Sequence, residues 1–181
     1  MSTTREKAIA VFSDASYCAR SGAGAGAYWI QSGDIRLSAG QKLRGASQPH
    51  DAEVLAACNG INAVARHPSL LSKLRQGEKA KVLLFVDCVT VIQVFKEDCA
   101  IRLAPAVQKV LDEVRKMIAR LGFDLQIFHV KAHAGLDTPR KRHNQWCDLR
   151  AKQAMRAIRG IVAKAAKEKT AAAPAPALAL A

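Results

Sequence analysis

The chain has 181 residues, a length that suits one domain. Half of them are hydrophobic and 24% are charged, which excludes wholesale disorder. Lys and Arg number 28 against 15 Asp and Glu, a formal charge of +13, so an anionic partner is expected and nucleic acid is the first candidate.

Ala8–Ser13 has the composition of a strand that ends on Asp14. The stretch that follows is polar and Gly-rich, and the small residues of Ser21–Ala27 suit a turn or a close backbone approach. A second strand is expected over Ala27–Gln31, a turn at Ser32-Gly33-Asp34, and a third strand over Ile35–Ala39. In Asp51–Ala65, Val54, Leu55, Cys58, Ile61 and Ala65 recur at helical spacing. Asp51 is a candidate cap and Pro68 the stop, while Gly60 lies against the pattern. Lys73–Lys81 is expected to be a polar connection. Val82–Val86 is a continuous apolar run, the pattern of a strand buried on both faces, and it too ends on an aspartate, Asp87. A short helix is expected through Phe95, and a longer one over Ala104–Leu121, striped by Val107, Val110, Leu111, Val114 and Ile118 and closed by Gly122. Phe123–Val130 alternates like a strand, and Gln145–Lys169 has the spacing of a long last helix. The expected organisation is a short extension over 1–7, one domain over 8–169 and a low-complexity Ala/Pro tail over 170–181. Strands and helices in this order predict an α/β layer with a mixed sheet covered by helices.

The charge is uneven. Residues 129–181 hold eleven Lys and Arg against three acids, and residues 1–128 hold 17 against 12. Arg140-Lys141-Arg142 is expected in the loop before the last helix, which carries Arg150, Lys152, Arg156, Arg159, Lys164, Lys167 and Lys169. The apolar run Ala8–Phe12 is too short for a signal-peptide core, and no stretch approaches the roughly 18 apolar residues of a membrane span. The five cysteines form no CxxC pair. They fit neither a zinc site nor a disulfide framework and suit a reducing cytoplasm.

Four acids keep informative positions. Asp14 and Asp87 each follow a strand; Glu53 and Asp148 lie near helix starts. Strand ends and helix starts converge on one rim of such a sheet. Carboxylates gathered there repel one another unless cations neutralise them, and hard Mg²⁺ or Mn²⁺ is the cation such oxygens favour. Taken singly, each acid has an ordinary explanation as a loop residue or a helix-dipole partner; their joint occurrence is the signal. His133 precedes a glycine-containing loop, where it can move protons near neutral pH, whereas His129 lies within the strand pattern.

These stretches, VFSDAS around Asp14, DAEVLAA around Glu53, LLFVDC around Asp87, and HVKAHAG followed by NQWCDLRAKQA around Asp148, resemble the ribonuclease H family, type 1, from about Ala8 to Ala157. The resemblance implies a five-stranded mixed sheet flanked by helices in the order βββαβαβα. It implies an endonuclease that cuts the RNA strand of RNA–DNA hybrids and leaves 5′-phosphate and 3′-hydroxyl ends. It places metal ligands at Asp14, Glu53, Asp87 and Asp148, the flexible-loop histidine at His133, and a positioning or substrate-binding asparagine at Asn144. Two Mg²⁺ ions are implied, with Mn²⁺ the alternative. One is held by Asp14 and Asp148, the other by Asp14, Glu53 and Asp87. About 45 residues separate Asp87 from His133, which resembles members without the inserted basic handle, and no N-terminal hybrid-binding domain is expected. The sequence departs from the family at Ala15, usually Gly, at Cys88, usually Ser or Thr, and at Gln48-Pro49-His50-Asp51, where a Thr-Asn stretch usually meets substrate.

Ser16 and Tyr17 are candidate readers of a 2′-hydroxyl, and Arg140, Lys141 and Arg142 candidate phosphate contacts. Trp146, Tyr28 and Trp29 are expected to pack in the core. The partner expected is an RNA–DNA hybrid, with no membrane, no obligate protein partner and a monomeric state. The rival readings are a DNA nuclease or recombinase of the same fold, a silent nucleic-acid-binding module, and a basic structural protein.

Overall fold

The computed structural model describes residues 8–75, 80–96, 101–130 and 138–171. Five strands form one sheet: β1 (Ile9–Cys18), β2 (Ala23–Ser32), β3 (Ile35–Leu43), β4 (Lys81–Val86) and β5 (Asp124–His129). Their order is β3-β2-β1-β4-β5. β1 pairs antiparallel with β2 and β2 with β3, while β4 runs parallel to β1 and to β5. The helices are α1 (Pro49–Arg66), α2 (Pro68–Arg75), α3 (Val89–Phe95), α4 (Pro105–Leu121) and α5 (Pro139–Ala171). This is the five-stranded mixed sheet flanked by helices that the sequence implies. Among the described residues, no helix is long and apolar enough to cross a membrane.

The two faces of the sheet bury different cores. Alternate residues of β1 separate them: Ile9 and Val11 enter the main core with α1, α2 and α4, and Phe12 enters a smaller one with Phe85, Cys147 and Ala151 under α5. Gly60 is explained by the main core. A Cβ there would lie 2.8 Å from Val11 Cγ1, so the glycine lets α1 press onto β1. Gly26 does the same on β2, where a Cβ would meet Ala56 Cβ at 2.8 Å. The second core contains an aromatic row in register, Trp29–Phe12–Phe85, which exposed Phe128 on β5 continues across a fourth strand. The Phe12 and Phe85 rings stack at 4.7 Å and those of Phe85 and Phe128 at 5.3 Å. His143 of α5 stacks on Trp29 at 5.0 Å, and Trp146 meets Trp29 edge-on at 5.2 Å.

Several expected boundaries differ. β1 does not end at Asp14 but runs four residues further to Cys18, because Ala15–Cys18 pair with Ala23–Gly26. Ala23–Gly26 are therefore strand, not turn, and the small side chains there are what admits α1. β3 continues past Ala39 to Leu43. Pro68 does not simply stop α1; it opens the separate helix α2, whose Leu70 and Leu74 are buried. α5 starts at Pro139, six residues early, so Arg140–Arg142 form its first turn rather than a loop. Gly122 closes α4 as expected, donating its N–H to Ile118 O at 2.9 Å.

Candidate metal centre

Each carboxylate reaches the rim of the sheet from a different element. Asp14 lies mid-strand on β1, two residues past Phe12 and on the same face. Asp87 stands one residue past β4, two beyond Phe85. Glu53 sits in the second turn of α1, which the Gly26 and Gly60 contacts hold down on the sheet. Oxygens of Asp14, Glu53 and Asp87 lie within 4.8 Å of one another. Asp14 is 4% exposed, so this is not a solvated surface cluster.

The electrostatics follow from that crowding. Burial, then the nearby Asp87 carboxylate, push the Asp14 carboxyl up to about 7, although the Ala15 N–H donates to its Oδ1 at 2.7 Å. Burial, then the charges of Asp14 and Asp87, push Glu53 up to about 9. The donor set is all oxygen and its members repel, so it fits a hard divalent cation. A cation between them would offset the burial and the repulsion together.

Asp148 is placed differently. It lies in the third turn of α5, not at the helix start, and its two oxygens accept from Lys152 Nζ at 2.7 and 2.8 Å. It is near enough that its charge adds to the rise at Asp14, yet it is not one of the three oxygens within 4.8 Å. The neighbouring Cys147 thiol donates to Phe12 O at 3.6 Å, which fixes this turn of α5 beside β1. Lys152 is absent from the sequence-predicted site, although its spacing from Asp148, four residues along a helix, is the signal that finds the pair.

The remaining sequence candidates divide. Ser16 is half-buried on β1, on the Asp14 face. Tyr17 points to the other face and packs against the main core. Asn144 is 5% exposed, and its Oδ1 is buried with no partner among the described residues. Arg140 is exposed, with its guanidinium carbon 4.9 Å from the Phe85 ring centre. Lys141 and Arg142 follow it in the same turn, their N–H groups donating to Thr138 Oγ1 and Thr138 O. Trp29 and Trp146 pack in the second core and Tyr28 against the main one, as expected. His129 is exposed, its Nε2 2.9 Å from Asp87 O, a contact that ties the end of β5 to the Asp87 backbone. His133, Cys99, residues 1–7 and the tail from 172 lie outside the described residues.

Asp51 is fully buried and is not the cap of α1, whose N-cap is Gln48; its carboxylate ties neighbouring segments together instead. Its Oδ2 accepts from the Ser47 N–H at 2.9 Å and the Ser47 hydroxyl at 2.7 Å, and its Oδ1 accepts from the Ala104 N–H at 3.0 Å. The segment before Glu53 is thereby tied to the start of α4. These bonds hold the Asp51 carboxyl below its ordinary range against the opposing effect of burial.

Comparison with known proteins places this geometry. No curated protein sequence matches the chain. In solved structures, RNase H1 from the halophilic archaeon Halobacterium salinarum NRC-1 superposes with a TM-score of 0.60 at 20% identity, covering 83% of this chain and 98% of that one. The N-terminal RNase H domain of a Mycobacterium tuberculosis protein, solved as a maltose-binding-protein fusion, gives 0.60 at 15% identity, covering 88% and 98%. LC11-RNase H1, solved in complex with an RNA/DNA hybrid, gives 0.60 at 10% identity, covering 83% and 98%. At these identities the likeness is one of fold. The RNase H family model matches residues 6–156, most of the chain and all four carboxylates, and the chain belongs to the RNase H family.

Proposed function

We propose that the chain is a metal-dependent endonuclease that hydrolyses the RNA strand of RNA–DNA hybrids and leaves 5′-phosphate and 3′-hydroxyl ends. The observation that carries this reading is the crowded trio Asp14, Glu53 and Asp87, with Asp14 and Glu53 desolvated, whose mutual repulsion within 4.8 Å has no structural benefit of its own. Asp14, Glu53 and Asp87 would hold one Mg²⁺, and Asp14 and Asp148 a second. Bound there, the ions supply Lewis acidity that lowers the pKa of a water and offsets charge on the leaving oxygen.

The chain's own residues do the rest. The Ala15 N–H fixes the Asp14 carboxylate, and the Asp51 bonds fix the approach of α1 and so the position of Glu53. Asp148 joins by exchanging its exposed partner Lys152, a change that costs little because such pairs hold by only about 0.2–1 kcal/mol. Ser16, on the Asp14 face, is better oriented than Tyr17 to meet a 2′-hydroxyl, the group that distinguishes RNA from DNA. Asn144, whose buried oxygen has no partner among the described residues, lies four residues before Asp148 and is suited to orient substrate or the first turns of α5. Arg140–Arg142 would meet phosphate, and His133 would carry protons to or from the site.

The test is cleavage of an end-labelled RNA–DNA hybrid beside RNA duplex, DNA duplex and single strands, in Mg²⁺, Mn²⁺ and EDTA. Metal-dependent cutting confined to the RNA strand of the hybrid, absent in Asp87→Asn, is the expected result. Cutting of duplex DNA would transfer the chain to the DNA-directed nucleases of this fold. Salt-sensitive binding without any cutting would leave a binding module.

A further inference from the structure

α5 is longer than the strands it covers. Its 33 residues span about 50 Å, whereas the ten residues of β1 span about 33 Å. Its buried side chains are Asn144, Cys147 and Ala151; Ala154, Met155 and Ile158 are half-buried. Beyond Ile158 every described side chain, Arg159, Ile161 and Lys164, is exposed, with Ile161 at 69%. Among the described side chains, the outer helix therefore buries nothing against the core.

Its polar side is ordered nonetheless. Asp148, Lys152, Arg156 and Arg159 follow at intervals of four, four and three, so they line one side of the helix, running outward from the candidate metal centre. Lys152, Arg156 and Arg159 are exposed. Arg159 lies about 16 Å along the axis from Asp148. On the sheet, Cys18 lies about 13 Å from Asp14 along β1. The Arg159 guanidinium is near enough to help lower the Cys18 thiol below its ordinary range, after the larger effect of Ser21. Exposed Arg20 sits in the adjoining β1–β2 turn, and exposed Lys42 and Arg44 close the same end of the sheet, since Leu43 pairs with Gly24. Between Ala15 and His50 the sole acid is Asp34, in the β2–β3 turn at the opposite end.

We propose that the outward stripe of α5, Lys152, Arg156 and Arg159, forms with Arg20 a second nucleic-acid contact: a track for the phosphate backbone leading from the carboxylates to the β1–β2 turn. It rests on the nucleic-acid reading above and assigns a surface that reading does not need. Its length corresponds to roughly four or five base steps of about 3.4 Å, so it engages substrate well away from the bond being cut.

The test is fluorescence-anisotropy binding, in EDTA, of a labelled RNA–DNA hybrid of about 20 base pairs to the full chain, repeated across salt concentrations. The Arg156→Ala/Arg159→Ala variant is compared with wild type and with Arg156→Lys/Arg159→Lys. Losing two phosphate contacts should flatten the slope of log affinity against log salt by about two and weaken low-salt binding by about tenfold, with the lysine variant near wild type. Matching melting temperatures would confirm that all three fold alike. Slope and affinity equal to wild type in the alanine variant would overturn the track. Hybrid cleavage by wild type, measured in parallel, separates the two readings. Intact cleavage with an unchanged slope removes only the track, and a flattened slope without cleavage keeps the track and removes the hydrolase.

Discussion

The trio Asp14, Glu53 and Asp87 and the fourth carboxylate, Asp148, belong to the same rim and are built by opposite means. The trio is held by the sheet and by α1, and burial with mutual repulsion pushes the carboxyls of Asp14 and Glu53 up to about 7 and about 9. Asp148 sits on a helix laid across β1, β2 and β3, is partly exposed, and already has a cation in Lys152. Three ligands are thus preorganised at a cost to the metal-free protein, and the fourth is satisfied without metal. The contrast separates residues that create affinity for an ion from one that completes the site when substrate arrives.

The largest effect expected from breaking the contrast is on activity. Asp87→Asn should lower kcat for hybrid cleavage by about a thousandfold or more, and it should also raise the melting temperature of the metal-free protein by a few degrees, since it removes a repelling charge. Single-turnover cleavage and thermal melts in EDTA measure the two halves. A merely structural aspartate would lose stability instead.

Gly26→Ala strikes the trio through the scaffold. The new Cβ would meet Ala56 at 2.8 Å, lift α1 and carry Glu53 with it. A stability loss of about 1–3 kcal/mol is expected in chemical denaturation, with weaker metal binding and no change at the Asp148–Lys152 pair.

The third prediction concerns pH. Asp14 and Glu53 have folded pKa values of about 7 and about 9, against roughly 4 when unfolded. Between about pH 4 and pH 9 the native state therefore holds protons that the unfolded state has released, so stability falls as pH rises through this window. Metal-free protein should melt highest near the acidic end of it and progressively lower toward pH 9, and millimolar Mg²⁺ should restore most of the loss. Melting curves across pH, with and without Mg²⁺, check the sign.

Lys152→Met has the smallest effect. It releases Asp148 from an exposed pair and, at saturating hybrid so that the lost phosphate contact does not limit the reaction, should lower the Mg²⁺ concentration for half-maximal cleavage by about two- to fivefold, with stability nearly unchanged.

Much of this was legible in the sequence for physical reasons. The continuous apolar run Val82–Val86 and the stripe of α4 are patterns that packing imposes, and the acids are readable because each is anchored to an element end or face. What escaped reading depends on register or on approach between distant elements. Ala23–Gly26 have poor strand propensity and form a strand because α1 needs small residues beneath it. The aromatic row Trp29–Phe12–Phe85–Phe128 exists only once four strands are aligned. Asp51 looks like a helix cap until the start of α4 is placed beside it. Pro68 is ambiguous because proline ends one helix and begins another with the same fixed φ.

The most direct test of the central claim is Mn²⁺ binding without substrate, followed by electron paramagnetic resonance of the free ion, in wild type, Glu53→Gln and Asp148→Asn. The trio alone should hold an ion, so Asp148→Asn should bind like wild type and Glu53→Gln should lose most of its affinity. Equal loss in both variants, or binding that survives in Glu53→Gln, would contradict the division between a preorganised trio and a completing fourth ligand.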